Sequence, residues 1–378
     1  MKPEVFFTNA RAAVVELEKW YQPELSLTSK LERLIAKSQV LDIIERGDTV
    51  ALKTHFGDRG NTKMLRSIFI RKVAEMVREK GAMPFVTETT GLGLIRDRNF
   101  AVGRIKIAME NGYTHETLSA PIIIADGLKG FDYVEVKVNG LQLKKVYIAR
   151  AIAEADKIIS LAHFKGHFRS GFGGAFKNIG VGCVAKPSKY DIHLHDLPRI
   201  DEEKCNKCFE CLKICPAGAI ITQNNKIEFI QQKCIRCLGC YEVCKPNAIQ
   251  VEWTIGRDIA ERIIDCAKAV IDFKGRENFA FLNFLVDITP HCDCHPYSDL
   301  PIVPDLGIAA SREILALEKA SIDMINSAPT IQGSLASLHV ETEDKFHTTF
   351  NWNHSKYQLE AARKSGLGTY DYELIAID

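Results

Sequence analysis

Cys205-Asn-Lys-Cys208-Phe-Glu-Cys211-Leu-Lys-Ile-Cys215-Pro216 and Cys234-Ile-Arg-Cys237-Leu-Gly-Cys240-Tyr-Glu-Val-Cys244-Lys245 are the two segments on which the architecture turns. Their spacing is the same, they start 29 residues apart, and together they hold eight of the twelve cysteines. Three cysteines at two-residue gaps reach three corners of one [4Fe–4S] cubane from a tight loop; the fourth, after a three-residue gap, points to a neighbouring cluster. The expected ligand sets are therefore crossed. Cys205, Cys208, Cys211 and Cys244 serve one cluster, and Cys234, Cys237, Cys240 and Cys215 the other. The flanks repeat as well, Lys204 with Lys233 and Ala219-Ile220 with Ala248-Ile249. A disulfide framework suits small secreted domains rather than a chain of this length. Zinc sites use paired Cys-x-x-Cys units set farther apart. One departure stands out: Lys245 occupies the position of Pro216, and Pro246 follows one place later.

Outward from these runs, 378 residues at 46% hydrophobic content suffice for a large core and two or more domains. A net charge of +1 points to neither nucleic acid nor a membrane surface. No apolar run approaches the length of a bilayer span, and the N-terminal residues lack a basic-then-apolar secretory layout. Free thiols and cluster chemistry favour a reducing compartment, so a cytoplasmic location is expected.

Before the cysteine runs, short β-rich segments alternate with helical periodicity, and the alternation resumes after them. Ser29-x-x-Glu32 reads as a capping box opening a helix that reaches Leu41. Strands are expected at 49–53, 85–87, 121–125, 157–161, 279–286 and 372–377. Helices are expected along Leu65–Val77, Phe100–Glu110, Ile259–Val270 and, capped by Ser311, through Ile322. Val134, Val136 and Val138, then Asn139-Gly140, then Leu141 and Leu143 predict a hairpin. The fold class is thus α/β, a Rossmann-like mixed or parallel sheet with helices on both faces. A small α+β ferredoxin-like two-cluster domain interrupts it. Residues 1–200 form the first part of the α/β domain, 201–250 the insertion, and 251–378 the second part.

Three constellations outside the runs carry chemistry. The stretch 157–190 has no acidic residue but holds Lys165, Arg169, Lys177, Lys186, Lys189, His163, His167 and several glycines, beginning where a strand ends. Open α/β sheets bind ligands at such ends, so Arg169, Gly173, Gly174 and Lys177 are candidates for an anion site. The alternative is a flexible surface loop with solvated charges. Neither a Walker A loop nor a dinucleotide GxGxxG is present. Lys53, His55 and Asp58 follow one strand and Glu88 another; Lys53, His55, His163, Lys165 and His167 are the candidate acid/base groups. Finally, Cys292 and Cys294 in His291-Cys-Asp-Cys-His295 share a side of an extended chain. They could face one metal ion or one substrate, with Cys183 as a third thiolate. The alternative is a set of structural cysteines, and Cys266, on an apolar helix face, belongs to the core.

Lys53-Thr-His55-Phe-Gly57, His163-Phe-Lys165-Gly-His167, Gly173-Gly174-Ala-Phe-Lys177-Asn178-Ile-Gly180, Cys292-Asp-Cys294-His-Pro296 and Pro301-Ile-Val-Pro304-Asp305-Leu-Gly307 resemble the domain-of-unknown-function 362 family. The likeness spreads over most of the chain, and a two-cluster ferredoxin insertion is a common companion there. It implies an iron–sulfur protein of prokaryotic, often anaerobic, cytoplasm and supplies no reaction. The expected function is an iron–sulfur redox protein. Two [4Fe–4S] clusters would pass electrons to a substrate or metal site in the α/β domain. A redox partner protein, a small anionic substrate and an additional metal or anionic ligand would accompany them. The alternatives are a non-catalytic electron-relay or docking subunit of a larger oxidoreductase, and a metal-dependent enzyme whose clusters are structural or sensory.

Overall fold

Seven consecutive residues, Phe279 to Leu285, are buried and alternate between two apolar cores: Phe279, Phe281 and Leu285 in one, Ala280, Leu282 and Phe284 in the other. A strand of this kind lies inside a sheet covered on both faces. The computed structural model, which describes residues 2–13, 18, 20–224 and 226–377, builds that sheet from eight strands. They are β1 (Glu4–Asn9), β2 (Thr49–Lys53), β3 (Met83–Glu88), β4 (Ile122–Ile124), β5 (Lys157–His163), β6 (Phe279–Leu285), β7 (Gly307–Ser311) and β8 (Glu373–Ala376). Their spatial order is β8-β1-β7-β6-β5-β2-β3-β4. From β6 to β4 all neighbours are parallel; β7 runs antiparallel to both β6 and β1, and β8 pairs parallel with β1. The sheet is therefore mixed, as expected.

Helices α1 (Leu27–Ser38), α2 (Ser67–Glu79) and α3 (Ala101–Glu110) cover the face of Leu52, Val86 and Ile159. The face of Ala51, Ile158 and Phe279 is covered instead by α5 (Arg257–Lys274), α6 (Ile314–Ser327), α7 (Lys356–Lys364) and the short α4 (Ala175–Gly180). The stripe Phe69, Ile70, Val73, Ala74 and Val77 shows why α2 docks: each large apolar side chain so buried contributes about 1.5–3 kcal/mol. β5 and β6 are sheet neighbours, yet the basic loop, both cysteine runs and α5 lie between them in sequence. The cysteine region itself carries two short antiparallel pairs, Arg199–Ile200 with Ile249–Gln250 and Ile220–Gln223 with Lys226–Phe229. Helices Glu210–Ile214 and Gly239–Val243 accompany them.

Local expectations shift in three places. The cap of α1 is Ser26, whose hydroxyl accepts from Ser29 N at 3.2 Å, while Ser29 lies inside the helix. The helix stops at Ser38 because Gln39 turns left-handed at φ 54°, so Leu41 lies beyond it. Tyr133–Lys137 does pair with Lys145–Ala149, but Asn139-Gly140 is not the turn. The buried Asp265 carboxylate on α5 accepts from the amides of Leu141, Gln142 and Leu143 at 2.7–2.8 Å, which commits that backbone to a longer loop. Ser311 ends β7, and the α6 cap passes to Glu313, whose carboxylate accepts from Ala316 N.

Candidate functional site

The parallel strands end together, and three of them deliver Lys53, Glu88 and His163 to a cavity of about 250 Å³. Such a carboxyl edge is where open α/β sheets hold ligands. Lys53 is fully buried and donates to Asn178 Oδ1 at 3.0 Å; Asn178 in turn donates to Lys53 O and Ser160 Oγ, tying α4 to β2 and β5. Burial pushes the Lys53 ammonium down, and Glu88 opposes only part of that. Gly182 is required here, since a Cβ would stand 2.4 Å from the backbone Asn178 O as well as 2.5 Å from Lys53 Nζ.

Glu88 accepts from Phe56 N at 2.9 Å and pairs with the buried guanidinium of Arg104, which also donates to Gly57 O at 2.7 Å. Burial alone would raise the Glu88 carboxyl, but Arg104, with His55 and Lys53, holds it far below the usual range. His55 Nδ1 accepts from Gly57 N at 2.9 Å, which leaves Nε2 facing Glu88 at 3.6 Å. Burial lowers His55 to about 4, so at neutral pH it is an uncharged donor. Asp58 points away, to Arg98.

Between the two thiols of the Cys-Asp-Cys segment, Asp293 is itself buried against His163 Nδ1 at 2.9 Å and Lys165 Nζ at 3.0 Å. Burial would raise this carboxyl, yet His163 and Lys165 hold it down at about 2. His163 Nε2 lies 2.9 Å from Val286 O, so both ring nitrogens meet oxygen acceptors. Cys292 accepts from Lys177 Nζ at 3.1 Å. The neighbouring Cys294 thiol holds Cys292 far below the ordinary thiol range against burial, with Lys177 adding to it; Cys294 is pushed up by the same partner. Cys292, which faces the Lys177 ammonium, is the sulfur better placed to carry negative charge. A ring nitrogen of His167 and the two sulfur atoms all lie within 4.8 Å of one another.

The basic loop is not a solvated surface segment. Lys165–His167 pairs antiparallel with Gly171–Gly173, and the residues from Lys165 to Phe176 are buried apart from Phe168 and Arg169. Phe164, Phe172 and Phe346 stack beneath it. Its glycines mark close approaches: a Cβ on Gly166 would lie 2.3 Å from Pro290 O, and one on Gly174 2.5 Å from Glu318 Oε1. Gly173, Gly174 and Lys177 line the cavity, but Arg169 does not join them. Its guanidinium sits 4.8 Å from the Phe168 ring and 4.7 Å from the Trp253 ring, in an adjoining cleft. Cys183 is likewise displaced from its expected place beside Cys292 and Cys294. Its thiol faces Asn178 O at 3.8 Å and the Lys53 charge, burial pushes it up to about 12, and His167 stands in its place.

Several cavity residues escaped sequence reasoning. Arg104 interrupts the apolar stripe of Ala101 and Ala108 on α3, a signal that could have been read. Lys189, which donates to Thr89 Oγ1 at 2.6 Å and which burial lowers to about 8, belongs to the acid-free basic stretch but was not singled out within it. Glu242 carried no local signal.

The eight cysteines of the two runs form no disulfides and gather around two small cavities. Cys205, Cys208, Cys211 and Cys244 line one; Cys215, Cys234, Cys237 and Cys240 line the other. The loops share left-handed residues at 29-residue spacing: Lys207 with Arg236, Phe209 with Leu238, Gly218 with Asn247. Ala219 N donates to Cys215 Sγ at 3.3 Å and Ala248 N to Cys244 Sγ at 3.2 Å, so Lys245 leaves the second turn unaltered. The second cavity adjoins the sheet edge. Gly93 N donates to Cys237 O at 2.8 Å, and Glu242 accepts from Leu94 N, Ile95 N and Asn99 Nδ2 at 2.6–3.1 Å. Because each charge-assisted bond is worth about 1.5–3 kcal/mol, Glu242→Ala should speed amide exchange across residues 92–99 by about tenfold or more, measured by mass spectrometry. Unchanged exchange would mean that this carboxylate does not hold the seam.

A family profile described as "Domain of unknown function (DUF362)" matches residues 50–323. No curated protein matches the chain. Among solved structures, the lactate racemase apoprotein from Thermoanaerobacterium thermosaccharolyticum aligns at 11% identity with a TM-score of 0.38, covering 100% of this chain and 88% of that one.

Proposed function

Because the chain belongs to the family described as domain of unknown function DUF362, a description that assigns no reaction, we propose from the site itself that it is an iron–sulfur redox protein. Residues 201–250 act as a ferredoxin-like insertion holding two [4Fe–4S] clusters, between the α/β portions 1–200 and 251–378. The observation that carries this reading is the crossed gathering of cysteines: each cavity takes three from one run and its fourth from the other.

The residues present fit such groups. Thiolate-ligated clusters carry net negative charge and are stabilised by N–H donors to sulfur, and each run provides one at the equivalent alanine. Left-handed backbone at non-glycine residues costs about 1 kcal/mol each and turns amides inward, as anion-holding nests do. When bound, the clusters would supply one-electron transfer.

The chain's own residues arrange the rest. The seam of Gly93, Glu242 and Cys237 holds the Cys215, Cys234, Cys237 and Cys240 set beside the sheet-edge cavity. The other set would face the redox partner protein. In the cavity, the buried Lys53 and Lys189 have neutral hydrogen-bond partners among the described residues, which favours a small anionic substrate. Lys53, His55, His163 and Lys165 would orient it and move protons, with His167 at the edge of the same cavity; thiolate chemistry suits a reducing cytoplasm.

Anaerobic reconstitution should load about eight irons per chain and give paramagnetic signals of reduced clusters after dithionite. Fewer than about four irons, or no reducible signal, would end this reading. If variants of Cys292, Cys294, His163 and Lys165 left electron transfer to an acceptor intact, the relay-subunit alternative would replace it.

A further inference from the structure

We propose that His167, Cys292 and Cys294 form a three-ligand site for a thiophilic divalent cation of the zinc or ferrous type, with its open position toward the sheet-edge cavity. The site is separate from the cysteine runs and needs no cluster. If the iron–sulfur reading holds, it is the metal at which that cavity's ligand binds.

Three donor atoms within 4.8 Å of one another lie close to the spacing a tetrahedral ion demands. Metal–sulfur and metal–nitrogen bonds of about 2.3 and 2.0 Å put ligand atoms about 3.5–3.8 Å apart, a closure that small side-chain rotations supply. Two sulfurs and an imidazole select a soft or borderline cation over magnesium or calcium.

The segment bearing the thiols is held from behind. Asp293 faces the opposite way, into His163 and Lys165, so a buried ion-pair set fixes the backbone that aims Cys292 and Cys294. Arg98 fixes the next carbonyl, donating to Cys294 O at 2.8 Å. The outer contacts are those of a ligand set. Cys292 Sγ receives Lys177 Nζ at 3.1 Å and the Cys294 amide at 3.4 Å. Ser170 meets His167 Nδ1 with its hydroxyl at 2.9 Å and its amide at 3.1 Å. Because the Ser170 amide can only donate, Nδ1 is an acceptor before the ion binds and the ring proton sits on Nε2, which has no hydrogen-bond partner among the described residues. Coordination through Nε2 requires that proton to leave or to move to Nδ1, where the Ser170 hydroxyl can accept it.

Structural metal sites are closed by four protein ligands, whereas sites that act on a ligand keep one position open. Only three ligand-capable groups converge here among the described residues, and His167 and Cys294 both border the cavity of about 250 Å³. Water, or an oxygen of a small anion, would complete the shell, and Lys53 and Lys189 line the same space.

The test uses the full chain with its clusters loaded, exposed to Zn²⁺ and passed through gel filtration. About one zinc per chain should remain, and its K-edge X-ray absorption should fit two sulfur neighbours and at least one nitrogen. A Cys292→Ser/Cys294→Ser chain and His167→Gln should lose zinc while keeping the wild-type iron count, which also certifies their folding. Lys177→Met, which removes only an outer contact, should weaken zinc binding about 10–100-fold. No retained zinc in the wild type, equal zinc in the double variant, or recovery of Cys292 and Cys294 as a disulfide would overturn the proposal. Zinc bound at these residues in a chain that takes up no iron would sustain it and remove the iron–sulfur reading instead.

Discussion

Cys215→Ser is expected to empty the cluster site that Cys234, Cys237 and Cys240 share with it, although Cys215 belongs to the other run. Iron should fall from about eight to about four per chain, and the surviving signal should match that of Cys237→Ser rather than that of Cys211→Ser. Cys244→Ser should do the converse. The reason is spatial: Cys215 borders the cavity of the second run, and Cys244 that of the first. The loss should also be felt as instability. The apolar core of this region is small: Cys211, Ala219, Ile220, Cys237, Leu238, Ala248 and Ile249 are its buried apolar side chains, too little to hold some fifty residues without a staple. Residues 201–250 should become the preferred site of limited proteolysis in the variant, while the α/β sheet persists. A Cys215→Ser chain that keeps the Cys237-dependent signal would contradict the crossed arrangement.

Arg104→Met should be the most damaging change in the α/β domain, costing about 3–5 kcal/mol in denaturant unfolding. It removes the guanidinium from a pair in which both partners are buried, leaving Glu88 with His55 and Phe56 N as its nearest polar contacts. In the wild type the Glu88 carboxyl is depressed. The stability it contributes is therefore present above its ordinary value of 4.5 and is lost as pH falls below it. In the variant burial dominates and the carboxyl moves up. The defect should then be smallest in acid and grow as pH rises past 4.5, a slope opposite in sign to the wild type's. Glu88→Gln combined with Arg104→Met should recover most of the loss, because no charge is then left unpaired. A loss under about 1 kcal/mol, or no reversal of the pH slope, would show that water reaches the pair.

Some of this site is legible from local spacing and some is not. The Cys-Asp-Cys spacing puts two thiols on one side of the chain, and the fold keeps them there. Which residue faces them is a separate matter. Cys183 was the expected third partner, but it packs against Asn178 and Lys53, and the hairpin at Lys165–His167 presents His167 instead. Arg169 shows the same limit: it lies in the basic stretch, yet its neighbours are the rings of Phe168 and Trp253 rather than Lys177. The alternative of a flexible surface loop fails because Gly166 and Gly174 lie where Pro290 and Glu318 approach within a Cβ's reach, while Gly173, Gly174 and Lys177 line the cavity. Burial, unlike spacing, is a property of the packed whole.

From the sequence alone came the α/β alternation, the crossed cysteine sets and the strand-end positions of Lys53, Glu88 and His163. Each depends on short-range geometry: a period of two or 3.6 residues, or the reach of three cysteines around one centre. The tertiary structure alone decided the antiparallel entry of β7, the Glu88–Arg104 and Asp293–His163–Lys165 pairs, and the Glu242 seam. These join residues far apart in the chain. They exist because sheet order brings strand ends together, and because charge excluded from water must find a partner there.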